Sequence, residues 1–178
     1  MARRRPIRAV SVRQPYALAI AHLGQDVENR PWPVPQWLFG GYLAIHAPAT
    51  VEAEALLWLR DAIRFQTEPQ LYLPLDFDVD GHLTTSAVVA VAVVRGCVAV
   101  DQTEALMGAR GQALPVASRF GDVPDGWSSP WLCGPFGWVL SDVVALPTPV
   151  PCKGARNLWE LPPDVLAAVR AEFGRAAA

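Results

Sequence analysis

The hydrophobic and polar positions divide the chain into short segments, each with the spacing of a helix or of a strand. The clearest helical spacing is an apolar stripe made of Val51, Ala55, Leu59 and Ile63. Proline suits the first position of a helix and glycine suits the left-handed residue after its end, so a helix is expected between Pro15 and Gly24. The predicted helices are 15–23, then 50–65 with Thr50 as its N-cap, then 102–107, and a closing helix from 162 to Gly174.

Segments that alternate every second residue, or that stay apolar, predict strands. The longest, 85–100, is rich in β-branched residues, and Gly96 within it predicts a bulge. In 26–30 the period of two places Glu28 and Arg30 on one face. The predicted strands are 26–30, 42–47, 85–100 and 136–146, with a short extended segment at 158–161. The predicted loops are 31–35, 66–84, 108–126 and 147–157.

The amino-acid composition indicates the fold class. Apolar residues make up 52% of the 178 positions and charged residues 18%, which is typical of a globular protein. The 17 prolines and 13 glycines cluster between the periodic segments and indicate many turns. We therefore expect one α+β domain over 1–178, β-rich and compact, with helices packed outside.

Charge and cysteine content narrow the function. A formal net charge of −2 argues against coating of long duplexes, but it leaves room for one nucleotide or a short single strand. The three cysteines are odd in number and widely spaced, and the three histidines have no metal-ligand spacing. We expect a cytoplasmic monomer with reduced thiols, no cofactor, no metal and no membrane segment.

Glu28 and Arg30 are the first candidates for a binding site. They form either an exposed ion pair or a pair inside a pocket, where Glu28 accepts from a ligand amine and Arg30 orients it. A neighbouring guanidinium normally lowers a carboxyl pKa, which favours Glu28 as an acceptor rather than an acid.

Other polar and aromatic residues allow a structural and a functional interpretation. Gln14 is a helix cap or a contact to a phosphate or base at the helix N-terminus. Tyr16 and Trp32 are core residues or stacking platforms. His46 is a structural histidine or a site residue, and Lys153, the single lysine, is a surface residue or a phosphate contact. The candidate ligand-binding residues are Gln14, Pro15, Tyr16, Glu28, Asn29, Arg30, Trp32, His46 and Lys153. Glu28 and Lys153 are the catalytic candidates if the protein is an enzyme.

Four sequence segments together resemble an ASCH domain of the PUA-like superfamily. They are SVRQPYA at 11–17, DVENRPW at 26–32, GYLAIHA at 41–47 and PCKGARNLWELP at 151–162. The resemblance implies a small mixed β-barrel with peripheral helices and a ligand cleft near the helix–strand motif. Proteins of this kind include RNA- and DNA-binding modules, readers of modified bases, ribonucleases and an amidohydrolase acting on acetylated cytidine.

The family motif is G-x-K-x-x-E-x-R, and this chain departs from it. Glu28 and Arg30 match, Gly24 is one position late, and Gln25 stands at the lysine position. The resemblance implies that this lysine acts in the amidohydrolases, and glutamine is neither a nucleophile nor a base. Deacetylation would then need Lys153 from its loop.

Two functions remain open at the level of sequence. The first is binding of RNA, single-stranded DNA or a modified nucleoside in a cleft of the barrel. The second is hydrolysis of RNA or of an acylated nucleoside. Because of Gln25, the sequence favours binding.

Overall fold

A computed structural model describes residues 6–71, 73–100 and 116–176 of the chain. Within these residues, strands build one sheet and helices pack against it, so the fold is mixed α+β. The strands are β1 Ile7–Ser11, β2 Val27–Arg30, β3 Tyr42–Ala47, β4 Ala87–Val100, β5 Val116–Gly121, β6 Phe136–Pro151 and β7 Leu158–Glu160. The helices are α1 Tyr16–His22, α2 Ala53–Phe65, α3 Val79–His82 and α4 Pro163–Ala176, with 3-10 turns at Gln36–Leu38 and Pro69–Leu71.

The sheet curls into a half-barrel. Its strand order is β2-β6-β4-β3-β1-β7, and β5 pairs with β4. The strands pair antiparallel except for β1 and β3, which are parallel. Although three strands separate β2 from β1 in this order, Arg30 of β2 donates from Nη2 to the Ser11 carbonyl of β1 at 2.6 Å. Only a strongly curled sheet brings these two strands so close.

The curl follows from the two long central strands. Their pairing shifts register between Val88 and Ala90, between Val91 and Val93, and between Val94 and Gly96. Each shift is a bulge that bends the sheet and increases its twist. The inner face buries one large apolar cluster, whose biggest member, Trp138 of β6, is fully buried. The outer face is covered by α4.

Several predicted elements are confirmed. α1, β2, β3 and β7 lie where the pattern placed them, and Gly24 takes the left-handed conformation with φ of 72°. The register shift at Gly96 confirms the predicted bulge. A side chain at Gly96 would meet the Phe120 carbonyl of β5 at 2.0 Å, which explains the glycine.

The ends of three predicted helices and strands are wrong. α2 begins at Ala53, with Glu52 as its N-cap, so Thr50 does not cap it. Val51 instead forms a bridge with Gln14, outside the helix. α4 continues past Gly174 to Ala176. β4 begins two residues after position 85, at Ala87.

Three predicted loops contain regular structure. β6 runs on to Pro151, because the first residues of β4 pair with Val150 and Pro151. Segment 66–84 contains α3 and a 3-10 turn, and 108–126 contains β5. The predicted helix at 102–107 lies outside the described residues. Among those that are described, none of the helices has the length and apolar character needed to cross a membrane.

Candidate functional site

Glu28 and Arg30 lie on the inner side of the half-barrel. Glu28 pairs across the ladder with Trp138, and residues directly opposite each other share a face. The Glu28 side chain is only 7% exposed, and its Oε1 lies 2.8 Å from Arg30 Nε. The Arg30 guanidinium lies 6.0 Å from the centre of the Trp138 ring. The structure therefore shows a buried ion pair and not an exposed one.

Burial controls the charge of Glu28. It raises the pKa of Glu28 to about 7, although the charge and hydrogen bond of Arg30 act in the opposite direction. Arg30 lowers the pKa of Glu28 as expected, but the net shift is upward and the expectation of a lowered pKa is wrong, since removal from water has the larger effect. Near neutral pH this carboxyl group is present in both its protonated and its ionised form.

Arg30 bridges two strands that do not pair. The pairing of β1 with β7 ends at Val10, so the backbone carbonyl of Ser11 has no partner strand in β7. Arg30 donates to this carbonyl. We call this place, where Arg30 of β2 meets the Ser11 carbonyl of β1, the β1–β2 opening.

Ser11 also connects the opening to the loop that carries Lys153. Its Oγ donates to the Ala155 carbonyl at 3.0 Å and lies 3.1 Å from His46 Nδ1. His46 Nε2 donates to the Cys152 carbonyl at 3.1 Å. Contacts thus run from Glu28 through Arg30, Ser11 and His46 to the residues on either side of the exposed Lys153 and the half-buried Gly154.

His46 has the structural role that the sequence left open. It is 1% exposed, and its ring packs edge-on against Trp159 at 5.5 Å. Burial lowers the pKa of His46, while its hydrogen bond to the Cys152 carbonyl acts in the opposite direction. A neutral imidazole with Nε2 protonated donates to the Cys152 carbonyl and leaves Nδ1 as an acceptor beside the Ser11 hydroxyl.

Gln14 has the role of a cap. It is fully buried; its Oε1 accepts from the backbone amide of Leu18 at 3.0 Å, and its Nε2 donates to the Thr84 carbonyl at 2.6 Å. Pro15 beside it is buried as well. Both polar ends of the Gln14 side chain are therefore bonded to the backbone.

Asn29 holds a second loop against the opening. Its Nδ2 donates to the Trp131 carbonyl at 2.9 Å, and its Oδ1 accepts from the amides of Cys133 and Gly134 at 2.9 and 3.0 Å. Burial of the thiol and, second, the negative charge of Glu28 raise the pKa of Cys133, although the residue as a whole is exposed. Segment 131–134 therefore lies close enough to Glu28 for the charge of Glu28 to act on the Cys133 thiol.

Trp32 and Tyr16 are half-buried and pack against the inner cluster. The Trp32 ring meets Trp138 edge-on at 4.6 Å, and its carbonyl accepts from Trp138 Nε1 at 3.1 Å. Both aromatic residues contribute to the core, and both keep part of their surface open to solvent.

Gln25 is 2% exposed. Its Nε2 donates to the Val27 carbonyl at 2.8 Å, whereas its buried Oε1 has no hydrogen-bond partner among the described residues. This position supplies an acceptor and no nucleophile.

Sequence reasoning missed Ser11, Trp138 and Gly154 as residues of the opening. Ser11 lies in a quoted motif, but its two partners come from β2 and from the distant 152–155 loop. A lone serine carries no signal of such contacts.

A separate cleft of about 400 Å³ lies between α1, α3 and β6. Of the predicted site residues, Gln14 borders it. Its polar lining includes His22 and His82, whose ring centres lie 4.7 Å apart. Among the described residues, no three His, Cys, Asp or Glu side chains come together as a metal site requires.

A scan against protein-family models and a search of curated proteins both return no match.

Proposed function

We propose that the protein binds a nucleotide, within single-stranded nucleic acid or as a modified nucleoside, at the β1–β2 opening of a PUA-like barrel of the ASCH type. The observation that carries the proposal is the buried Glu28–Arg30 pair at this opening. Burying two charges is costly unless they serve each other or a ligand. A pair at the open edge of a barrel is a suitable place to recognise a small polar group.

Glu28 matches the polar edge of a base. As a carboxylic acid it donates to a ring nitrogen or a carbonyl, and as a carboxylate it accepts from an exocyclic amine. A pKa of about 7 makes both forms accessible. The half-buried Trp32 offers an aromatic surface beside the same opening, and such surfaces stack on bases.

The fold supports the same proposal. The four segments that resemble the ASCH domain are far apart in sequence, yet each contributes to the network at the opening. Their contributions are Ser11 from the first, Glu28 and Arg30 from the second, His46 from the third, and Cys152 and Ala155 from the fourth. The PUA-like assignment is therefore based on the curled sheet, the outer helices and this convergence.

Replacing Arg30 tests the proposal. Arg30→Ala should weaken binding of a short single-stranded RNA or DNA about tenfold or more, because a charge-assisted contact is lost and Glu28 loses its partner. Binding is measured by fluorescence anisotropy and stability by urea unfolding. Arg60→Ala, which removes an arginine paired with Asp80 on the surface, is the matched control and should keep full affinity. Unfolding of Arg30→Ala at much lower urea, with affinity per folded molecule unchanged, would make Arg30 structural and overturn the proposal.

Hydrolysis is the second candidate function, and the pKa of Glu28 favours it. A carboxyl group that titrates near pH 7 suits general acid–base catalysis. With Gln25 at the family lysine position, Lys153 is the available amine. Lys153→Arg keeps the charge but removes the primary amine, which is the group that nucleophilic or base chemistry would use.

Short RNA and N4-acetylcytidine are the probes for this candidate, with products identified by mass spectrometry. If Lys153 is catalytic, Lys153→Arg should abolish turnover and retain binding. Undiminished turnover in this variant would exclude Lys153 as the catalytic group.

A further inference from the structure

The loop that carries Lys153 is held at its base by an unusually close backbone contact. A Cβ atom at Gly154 would lie 2.4 Å from His46 Cε1, 2.6 Å from His46 Nδ1 and 2.8 Å from Ser11 Oγ. No side chain fits at these distances, so glycine is required for the loop to approach His46 this closely. The φ of Gly154 is not in the left-handed region, and the requirement is therefore steric.

Hydrogen bonds fix the loop on either side of this contact. His46 donates to Cys152 before Lys153, and Ser11 donates to Ala155 after it. The Ser11 hydroxyl has one hydrogen and two acceptors, His46 Nδ1 and the Ala155 carbonyl, so it serves one of them at a time. The Cys152 amide donates to the Ser86 carbonyl at 3.0 Å, which ties the start of the loop to the segment before β4.

The backbone carbonyl of Ser11 also accepts a hydrogen bond from Arg30. One residue therefore couples the loop to the Glu28–Arg30 pair, although the loop and the pair belong to opposite ends of the chain. The loop exposes two cations, Lys153 and Arg156, while its backbone is fixed. A fixed backbone places a flexible lysine ammonium with less loss of entropy than a mobile loop would.

We propose that Ser11, His46 and Gly154 are positioning residues, which together hold the 152–157 loop so that Lys153 meets a backbone phosphate of the ligand bound at the β1–β2 opening. This inference rests on the proposed function and extends it: the ligand carries a phosphate next to the recognised base, which a free nucleoside lacks. We call these three residues the loop anchor.

Gly154→Ala tests the anchor by adding one methyl group at its closest contact. Gly174→Ala is the matched control, because a Cβ there has no atom within 4 Å. In the unliganded protein, Gly154→Ala should speed amide hydrogen exchange of peptides covering 152–157 about tenfold, while peptides from β4 stay unchanged. Lys153, the single lysine of the chain, reports on the same loop through its rate of acetylation, followed by mass spectrometry.

Binding of a six-nucleotide single-stranded RNA then tests the link to Lys153 in a double-mutant cycle. Gly154→Ala should lower affinity about tenfold in the natural background and leave it unchanged when combined with Lys153→Ala, since both changes remove one contact. A merely structural role predicts that the two losses multiply. A nucleoside from the same RNA, which carries no phosphate, should bind the natural protein and Gly154→Ala with equal affinity.

Ser11→Ala provides a second variant that introduces no clash and keeps the carbonyl that Arg30 uses. Ser11→Ala should change the hydrogen exchange of the loop and the RNA affinity in the same direction as Gly154→Ala, but less. If Gly154→Ala does not fold, these two measurements on Ser11→Ala test the anchor instead. Unchanged exchange of the loop, or multiplying losses in the cycle, would overturn the anchor. If the natural protein binds neither RNA nor nucleoside, the proposed function fails and Lys153 has no phosphate to meet, while the exchange data still show whether the anchor holds the loop.

Discussion

Glu28 shows how one buried residue is governed by two opposing effects. The Arg30 guanidinium at 2.8 Å favours the ionised carboxylate, and burial favours the neutral acid. Because burial has the larger effect, folding raises the pKa of Glu28 from 4.5 to about 7. The folded protein therefore holds a proton between these pH values that the unfolded chain releases.

This proton uptake makes stability depend on pH in a defined direction. The contribution of Glu28 to the free energy of unfolding is fully present below pH 4.5 and is lost as the pH rises through about 7. Glu28→Gln stays neutral and lacks this dependence. Between pH 4.5 and pH 8, the stability of the natural protein should fall by about 3 kcal/mol relative to Glu28→Gln.

Urea unfolding of both proteins at several pH values measures this difference. The contributions of His22 and His46, whose pKa values are lowered, occur in both proteins and cancel. A difference that does not change with pH would contradict the raised pKa of Glu28.

At the scale of elements, single polar side chains join segments that have no regular pairing. Asn29 at the end of β2 is the clearest example, since one amide group makes three hydrogen bonds to segment 131–134. Alanine at this position would leave two amides and a carbonyl without these partners.

We therefore expect Asn29→Ala to destabilise the protein by about 1–3 kcal/mol and to expose the Cys133 thiol. Cys133 should then react faster with iodoacetamide, whereas buried Cys97 should not. Asn29→Asp keeps the acceptor for the two amides and should have a smaller effect. Equal labelling of Cys133 in all three proteins would contradict the anchoring role of Asn29.

The elements also show what the sequence determines locally. α1 and β3 were predictable because their spacing and their flanking turn residues lie within a few positions of each other. β1 was missed, because five residues with no turn signal become a strand only between β3 and β7. β5 was missed within a segment of mixed composition, since it depends on pairing with the far half of β4.

The candidate site follows the same rule. A shared face for Glu28 and Arg30 follows from the period of two and was predictable. The Gln14 side chain also donates to Thr84, seventy positions away, and Ser11 contacts both Arg30 and the distant Ala155. The raised pKa of Glu28 depends on burial, which the pattern around it does not reveal.

For the whole molecule, net charge limits how the nucleic-acid ligand that we propose would be held. The chain carries −2 overall, and the exposed cations on the loop beside the opening are Lys153 and Arg156. Each phosphate neutralised on a single strand adds to the salt dependence of binding. A ligand recognised mainly through one base should therefore bind with weak salt dependence.

The plot of log affinity against log salt should have a slope of about −1.4, which corresponds to two phosphate contacts on a single strand. Anisotropy titrations with the six-nucleotide RNA at several salt concentrations measure it. Lys153→Ala should make the slope shallower by about half. A slope steeper than about −4 would indicate an extended contact with the backbone and would contradict recognition at one opening.

The pairing of β1 with β7 has a consequence for biosynthesis. Residues 8–10 emerge from the ribosome about 150 positions before their partners 158–160. Throughout that interval the outer edge of β1 has no strand beside it, and an open edge invites pairing with another chain. The 152–157 loop is synthesised more than 100 positions after Ser11 and His46, so these two residues have no loop to contact until then. The nascent chain therefore passes through a state in which β1 and β3 are made and residues 152–160 are not, so the contacts of Ser11 and His46 with the loop form only after residue 155 has emerged.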